Sequence, residues 1–259
     1  MEQESLKNAL AGLPISRIFH YSETDSTNLR AIEMLQKGDP GNSLFIADRQ
    51  TAGRGRLGRK WHTEPGASLA FSLALHPEDE ERKKLSLFPL LGALAVAEAA
   101  KKVCRSPVKI KWPNDVLLNG KKTCGILAET AWHGDELAGL VLGIGINILP
   151  PSVPSSREIN FPATCIQAHA DQPINRLFFL RSVLACLFET RKLLIKDSFI
   201  QRYQNYLAYI NEEVILETIG EKKFRGTLTG IDSDGCLQLR MQNGHKKRFP
   251  SGDLHLRPT

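Results

Sequence analysis

The dipeptide Asn119-Gly120 is the strongest constraint on how this chain folds. Asn-Gly between two alternating apolar segments favours a two-residue turn, because both positions must accept a positive φ. It joins a strand over residues 116–118 to one over 122–129, and a turn at 133–135 leads to a third strand over 137–149. The centre of the chain is therefore predicted to be an antiparallel sheet.

Other elements follow from hydrophobic periodicity and from Gly, Pro and capping signals. Ser26 or Thr27 is expected to cap a helix that stops before Gly38. Further strands are predicted over 43–48, 68–75 and 108–111, and further helices over 87–102, 175–196 and 198–209. Beyond Asn211 the pattern changes to short strands with turns at Gly220, 232–235 and 243–244, which predicts a small all-β domain.

Composition excludes several classes of protein. The chain has 259 residues, of which 42% are apolar and 24% charged, as in a globular enzyme rather than a disordered protein. The polar first 16 residues do not resemble a signal peptide, and the apolar stretch 85–100 is too short to span a membrane. Five widely spaced cysteines predict reduced thiols in the cytoplasm and no zinc site. A net charge of +6 favours acidic partners.

The segment 49–61, RQTAGRGRLGRKW, lies between two predicted strands and contains no acid. Its glycines free the backbone and its arginines offer forked donors, so it should bind a carboxylate or a phosphate. Gly53, Gly55 and Gly58 also match the dinucleotide fingerprint G-x-G-x-x-G, but no apolar helix follows them, which excludes that reading. A solvated basic loop is the remaining structural alternative.

Two other features leave alternatives open. Gly143 and Gly145 interrupt a strand, which indicates close approach of a ligand, of another strand, or a bulge. The segment 150–162 holds four prolines and three serines, so neither helix nor sheet is expected there. It reads as a mobile lid beside the site or as plain disorder.

Five motifs occur in one order along the chain: S-T-N at 26–28, G-R-G-R-L-G-R at 53–59, K-W-P-N-D at 111–115, G-I-L-A-E at 125–129 and G-I-G-I-N at 143–147. Together they resemble the biotin protein ligases, over roughly residues 20–259. Each motif alone is weak, whereas the ordered set is highly specific.

The resemblance implies an α+β fold, with a mixed, mostly antiparallel sheet packed by helices as in class II aminoacyl-tRNA synthetases. It also implies a small C-terminal SH3-like β-barrel, with domains at 1–211 and 212–259. The implied activity has two steps. Biotin and Mg-ATP give biotinyl-5′-adenylate and pyrophosphate, and the biotinyl group then passes to a lysine of a biotin carboxyl carrier domain.

The resemblance also implies residue roles. Lys111 would bridge the biotin carboxylate and the α-phosphate, and Arg56 would hold the adenylate; these two are the expected catalytic residues. The expected biotin contacts are Ser26, Thr27, Asn28, Gln50, Gly53, Arg54, Gly55, Arg56 and Lys111. The expected ATP contacts are Arg54, Arg56, Arg59, Trp61, Asn114 and Asn147, with Asp115 as a ligand of Mg²⁺, directly or through water. Phe161 is a candidate cover for the adenine.

Some expectations concern partners. Only about 20 residues precede the S-T-N helix, too few for a DNA-reading domain, so DNA is not an expected partner. The residues A-T-C-I at 163–166 depart from the A-T-S-L that is usual in the family. A homodimer is possible, since family ligases often pair edge strands. The alternatives are a lipoate or octanoyl ligase of the same superfamily and, much less favoured, a non-enzymatic nucleic-acid binder.

Overall fold

The computed structural model describes residues 2–155, 161–218 and 222–256. Its helices are α1 (Gln3–Leu10), α2 (Thr27–Gln36), α3 (Asp79–Arg82), α4 (Phe88–Lys101), α5 (Arg176–Arg191) and α6 (Asp197–Gln204). Its strands are β1 (Arg17–Thr24), β2 (Ser43–Gln50), β3 (Ser68–Leu75), β4 (Val108–Lys111), β5 (Asp115–Leu118), β6 (Lys121–His133), β7 (Glu136–Asn147), β8 (Glu213–Glu217), β9 (Lys223–Ile231), β10 (Leu237–Met241), β11 (Lys246–Phe249) and β12 (Asp253–Leu256).

The large sheet has seven strands in the order β1-β2-β3-β7-β6-β5-β4. Only β1 and β2 pair in parallel, and every other neighbouring pair is antiparallel. The predicted mixed, mostly antiparallel sheet is thus confirmed, including the Asn119-Gly120 hairpin, where both residues have positive φ. Strand β5 is short and pairs only with the first residues of β6, as far as Gly125.

The two faces of the large sheet are covered differently. Alternate residues of β3, Leu69, Phe71, Leu73 and Leu75, belong to the main core with α4 and α5. Because α4 lies between the sheet and α5, nearly all of its side chains are buried. On the opposite face, α2 packs Ala31 and Leu35 against only part of the sheet. The rest of that face is left for the cavity described below.

A five-stranded antiparallel sheet, in the order β11-β10-β9-β8-β12, forms the small C-terminal β domain. The turn before β10 docks it onto the larger domain. Trp112 Nε1 donates to the carbonyl of Gly235 at 2.9 Å, and Lys84 pairs with Asp234 at 2.5 Å. A Cβ at position 235 would lie 2.8 Å from Leu87, so this contact requires glycine.

Some local predictions were wrong. Ser26 occupies the N-cap position of α2, but neither its side chain nor that of Thr27 caps the helix. Instead, the Asp25 carboxylate accepts from the Ser26 N–H at 2.6 Å. Helix α5 ends at Arg191, five residues before the predicted end, because turns follow. Within the proline-rich segment, Pro150–Ser152 forms a 3₁₀ turn; residues 156–160, on which the lid prediction largely falls, lie outside the described residues.

Candidate active site

A cavity of about 830 Å³ opens on the face of the large sheet that α2 leaves uncovered. Its walls come from the N-terminus of α2, the segment 49–61 (here called the Gly-Arg loop), the β4–β5 turn and the start of β12. The predicted site residues that line it are Ser26, Thr27, Asn28, Gln50, Arg54, Gly55, Arg56, Arg59, Trp61, Lys111, Asn114, Asp115 and Asn147. The fold therefore gathers residues that are more than 120 positions apart in the sequence into one cleft.

One end of the cavity is a neutral hydrogen-bonding network. The side-chain oxygen of Gln50 accepts from the backbone N–H of Thr27 at 2.8 Å and from its hydroxyl at 3.1 Å. The Ser72 hydroxyl on β3 lies 2.7 Å from the Thr27 hydroxyl. These bonds fix the Gln50 amide so that its Nε2 is the free donor end, close to Gly53 at the cavity wall.

Asn28 connects this end of the cavity to a carboxylate. Its Oδ1 accepts from Ser72 at 2.6 Å, and its Nδ2 donates to Glu129 at 2.8 Å. The other oxygen of Glu129 pairs with Arg54 of the Gly-Arg loop at 2.8 Å. Asn28 is buried and its amide is already engaged on both sides, so it holds its neighbours in place as much as it faces the cavity.

The floor of the cavity explains the strand glycines. A Cβ at Gly143 would lie 2.0 Å from Asn28 Oδ1, and one at Gly145 would lie 2.3 Å from the Trp61 ring. In this structure the close approach is made by the side chains of Asn28 and Trp61, and both glycines also line the cavity. The buried Nε1 of Trp61 has no hydrogen-bond partner among the described residues. The indole packs against both Gly145 and Gly125 on the cavity floor. A Cβ at Gly125 would lie 3.2 Å from the ring.

The Gly-Arg loop is itself a small hairpin. Gly55 N–H donates to the Arg59 carbonyl at 2.6 Å, and Trp61 N–H to the Gly53 carbonyl at 2.9 Å. Of its three glycines only Gly58 has a positive φ, of 72°. Gly53 is required for space instead, since a Cβ there would lie 2.3 Å from the Trp61 carbonyl; it is buried behind the cavity wall rather than lining it.

The other end of the cavity is strongly cationic. Lys111 pairs with Asp253 at 2.9 Å, and Arg59 pairs with the second oxygen of the same carboxylate at 2.6 Å. Burial raises the pKa of the Asp253 carboxyl, but Lys111 and Arg59 lower it further, so its pKa lies well below the usual range.

Arg56 completes this end. Its Nη1 donates to Asn114 Oδ1 at 3.1 Å and to the Gly252 carbonyl at 3.5 Å. No carboxylate of the described residues forms an ion pair with it within 4.0 Å. Burial lowers the pKa of its guanidinium, yet an arginine keeps its proton at neutral pH. Arg56 is thus a cation that a substrate anion can neutralise.

Asp115 was predicted to bind Mg²⁺, and its oxygen pairs with Lys122 at 2.7 Å. The described residues contain no group of three or more His, Cys, Asp or Glu side chains that could hold a metal ion by themselves. Protein-bound Mg²⁺ commonly uses one or two carboxylates together with substrate phosphates and water. The single carboxylate of Asp115 fits that mode and does not fit a closed protein cage.

The last wall of the cavity contains Asn147 and Phe161. Asn147 is buried at the end of β7, and its Nδ2 donates to the Thr164 carbonyl at 3.1 Å, which leaves its Oδ1 as an acceptor. The Phe161 ring lies 4.9 Å from Lys111 Nζ, and both line the cavity. An amide acceptor beside the Trp61 and Phe161 rings suits a planar, hydrogen-bonding base.

Three contributors to this site were not assigned a role from the sequence. Glu129 belongs to a quoted motif, and its position at the end of G-I-L-A-E was the available signal. Ser72 is a small polar residue on the cavity face of an apolar strand, a weaker signal. Asp253 offers no local signal at all, because only the docking of the β domain brings it to Lys111.

Comparison with known proteins identifies the chain. Residues 21–147 match the biotin/lipoate A/B protein ligase family, and residues 209–257 match the biotin protein ligase C-terminal domain. The chain is 34% identical to the bifunctional ligase/repressor BirA of Bacillus spizizenii, over 89% of this chain and 71% of that protein. It is 32% identical to the biotin--[acetyl-CoA-carboxylase] ligase of Paracoccus denitrificans, over 87% of this chain and 95% of the relative.

A solved structure agrees. The biotin protein ligase of Aquifex aeolicus, in complex with biotin and ATP, superposes with a TM-score of 0.79 at 33% identity. The match covers 95% of this chain and all of the other. The two family matches, the two sheets and the motifs that line the cavity agree with one another. The chain belongs to the biotin protein ligase family of enzymes.

Proposed function

We propose that the enzyme activates biotin with ATP and transfers it to a lysine of a biotin carboxyl carrier domain, and that the cavity residues described above perform both steps. One observation supports this assignment. Lys111, Arg59 and Arg56 all contact Gly252 or Asp253 at one end of the cavity, and the other end is neutral. That arrangement suits a ligand with a polar ring and a terminal carboxylate that must meet a phosphate.

In the first step a biotin carboxylate oxygen forms a bond to the α-phosphorus of ATP, and the bond from that phosphorus to the bridging oxygen breaks, releasing pyrophosphate. Two anions must approach each other, so the chain supplies cations rather than a nucleophile. Lys111 contacts the carboxylate and the α-phosphate, and Arg56 holds the resulting phosphate ester. Mg²⁺, bound through the phosphates beside Asp115, would neutralise charge on the leaving pyrophosphate.

In the second step the neutral ε-amine of a carrier lysine attacks the acyl carbon of the adenylate. The new amide bond forms as the acyl–oxygen bond to AMP breaks, and the amine loses a proton. No side chain of the enzyme becomes acylated. The Gly-Arg loop covers the intermediate until the carrier arrives, with Arg54 anchored on Glu129 and Arg56 on the phosphate.

Binding roles follow the two ends of the cavity. Gln50, Thr27 and Ser26 contact the ureido ring, where an unmatched buried polar group would cost about 1 to 3 kcal/mol and so favours biotin over lipoate. Asn147 reads the adenine edge, and Trp61 and Phe161 pack against the base. The biotin-type C-terminal domain also favours biotin over the lipoate alternative.

Partners and boundaries complete the proposal. The domain boundary is placed between residues 211 and 212, where Tyr209 and Asn211 both have positive φ. Among the residues that the structure describes, no strand pairs with 127–133 of β6 on the β5 side, and this segment provides an edge for a homodimer. The five free thiols support a reducing compartment such as the cytoplasm. Among the described residues no helix is long and apolar enough to cross a membrane.

The test is direct. Purified protein with biotin, Mg-ATP and a biotin carboxyl carrier domain should give a streptavidin-reactive carrier and biotin-dependent pyrophosphate release. Lipoic acid should replace biotin poorly. Absence of labelled carrier beside an active control ligase would contradict the proposal, as would equal activity with lipoic acid.

A further inference from the structure

Asp253 lies on the C-terminal β domain, yet it contacts two cations that belong to the larger domain. Its Oδ1 accepts from Lys111 Nζ at 2.9 Å and its Oδ2 from Arg59 Nη2 at 2.6 Å. The preceding carbonyl, of Gly252, accepts from Arg56 at 3.5 Å. Gly252, which directly precedes β12, and Asp253, its first residue, therefore touch all three cations at this end of the cavity.

The Lys111–Asp253 pair is shielded from solvent, whereas Arg59 lies at its open edge, with 58% of its side chain exposed. Only 6% of the Lys111 side chain and 16% of the Asp253 side chain are exposed. The buried Lys111 ammonium loses hydration and is repelled by the neighbouring guanidinium groups, and the Asp253 carboxylate that bridges Lys111 and Arg59 offsets both costs. Long Lys and Arg side chains also have many rotamers, which the two ion pairs restrict before substrate arrives.

The position of Gly252 supports the same conclusion. Its φ is 158°, and a Cβ there would lie 2.8 Å from Leu216 and 3.0 Å from the Glu217 carbonyl on β8. The backbone of β12 is thus packed closely against its own domain as it enters the cavity. The Asp253 carboxylate is presented by a fixed strand start rather than by a free loop.

We infer that Asp253 is a positioning residue of the ligase reaction: it holds Lys111 and Arg59 paired and oriented for the incoming carboxylate and phosphate. The inference rests on the proposed function, since it assigns Asp253 to the site of adenylate synthesis. Misplacement of a catalytic cation by about 1 Å costs roughly 100-fold in rate. Loss of Asp253 should therefore slow the chemistry more than it weakens binding.

The chain offers a matched control for this inference. Asp234 is another acid of the β domain that pairs across to the larger domain, with Lys84 at 2.5 Å, and neither residue lines the cavity. Asp253→Asn and Asp234→Asn each remove one charge that links the two domains. Only the first removes it from the active-site cations.

The experiment measures pyrophosphate release after rapid mixing of enzyme with saturating biotin and Mg-ATP, without carrier. The amplitude per chain gives the folded, active fraction, and the rate reports the chemistry. For Asp253→Asn we expect the rate to fall at least tenfold with an amplitude near that of the wild type. Asp234→Asn should stay within threefold of the wild-type rate, and Asp253→Glu should recover at least threefold over Asp253→Asn.

The outcomes separate the two proposals. If the wild type releases no biotin-dependent pyrophosphate, the proposed function fails. If the wild type is active and Asp253→Asn keeps a rate within threefold of it, the positioning role fails. An equal loss of rate in Asp234→Asn would assign the effect to domain docking and overturn it too. If Asp253→Asn misfolds and loses amplitude, the rate of Asp253→Glu decides. An intermediate rate supports the inference. A wild-type rate, or no activity in a fully folded protein, overturns it.

Discussion

Arg54 and Glu129 form an ion pair of 2.8 Å that fastens the Gly-Arg loop to the middle of the large sheet. The same carboxylate accepts from Asn28 at the N-terminus of α2. One acid thus joins the loop that covers the cavity to the helix that forms its neutral end. Three of the five sequence motifs meet at this point.

Glu129→Gln should weaken biotin binding. The change removes the charge that holds Arg54 and leaves an amide that can satisfy only one of its two neighbours, a loss of about 1.5 kcal/mol or roughly tenfold in affinity. Calorimetry with biotin alone measures it. Glu23→Gln is the control, because Glu23 pairs with Arg49 at 3.2 Å on the exposed surface, where both side chains are more than half exposed. Equal affinities for the two variants would contradict the role of Glu129.

Lys111→Ala should abolish most adenylate synthesis. Loss of one preorganised cation at the developing charge lowers the rate by at least about 100-fold. Lys109 is the matched control: it lies on the same strand, β4, but is exposed. Lys109→Ala should release pyrophosphate at the wild-type rate. Near-normal release by the Lys111 variant would remove that lysine from its assigned role.

Arg56→Gly should produce a leaky enzyme. Without its guanidinium the adenylate leaves before a carrier binds, and free adenylate acylates exposed lysines without selection. Streptavidin blots of a bystander protein such as serum albumin measure this. Leu57→Gly tests loop mobility separately, since Leu57 is 55% exposed at the hairpin tip and has a positive φ. If Leu57→Gly labels bystanders as strongly as Arg56→Gly, loop flexibility rather than charge retains the intermediate.

Glu81 should make stability depend on pH. It joins α3 to α5 through two bonds to Arg191, at 2.8 and 2.6 Å. Burial raises the pKa of the Glu81 carboxyl, but Arg191 and the Glu78 N–H lower it further, so its folded pKa is below the ordinary 4.5. The stabilisation is therefore complete above about pH 4.5 and is lost as pH falls through the lower folded value.

Glu81→Gln should accordingly lower the free energy of unfolding by about 1 to 3 kcal/mol at pH 7, with a difference from wild type that shrinks below pH 4.5. Thermal melts from pH 3 to 8 provide the measurement. Glu80→Gln, which loses an exposed i,i+3 pair with Lys83, should change little at any pH. A Glu81 difference that stays constant down to pH 3 would contradict the linkage.

Much of this protein is readable from local sequence. Strands β3 and β4 were predicted with their observed bounds, and the Asn119-Gly120 turn was assigned correctly because its φ requirement is a property of two residues. Some predictions failed where the outcome depended on contacts across the fold. At Gly143 the sequence left a ligand, another strand or a bulge open, because it cannot reveal that the Asn28 side chain lies against that position. Ser26 looked like a cap because it directly precedes the helix, but the first helical N–H, of Thr27, donates to Gln50 from a distant strand.

Because Asp253 lies near the end of the sequence and contacts the cavity, the order of translation affects when the site is complete. The contacting residues run from Ser26 to Asp253, so a nascent chain displays Lys111, Arg56 and Arg59 long before the residue that bridges two of them has been translated. Folding on the ribosome proceeds from the N-terminal side. Until the strand that begins at Asp253 has emerged, the growing polypeptide carries an unbalanced cluster of positive charge, and a nucleotide captured there would meet a site without its final arrangement.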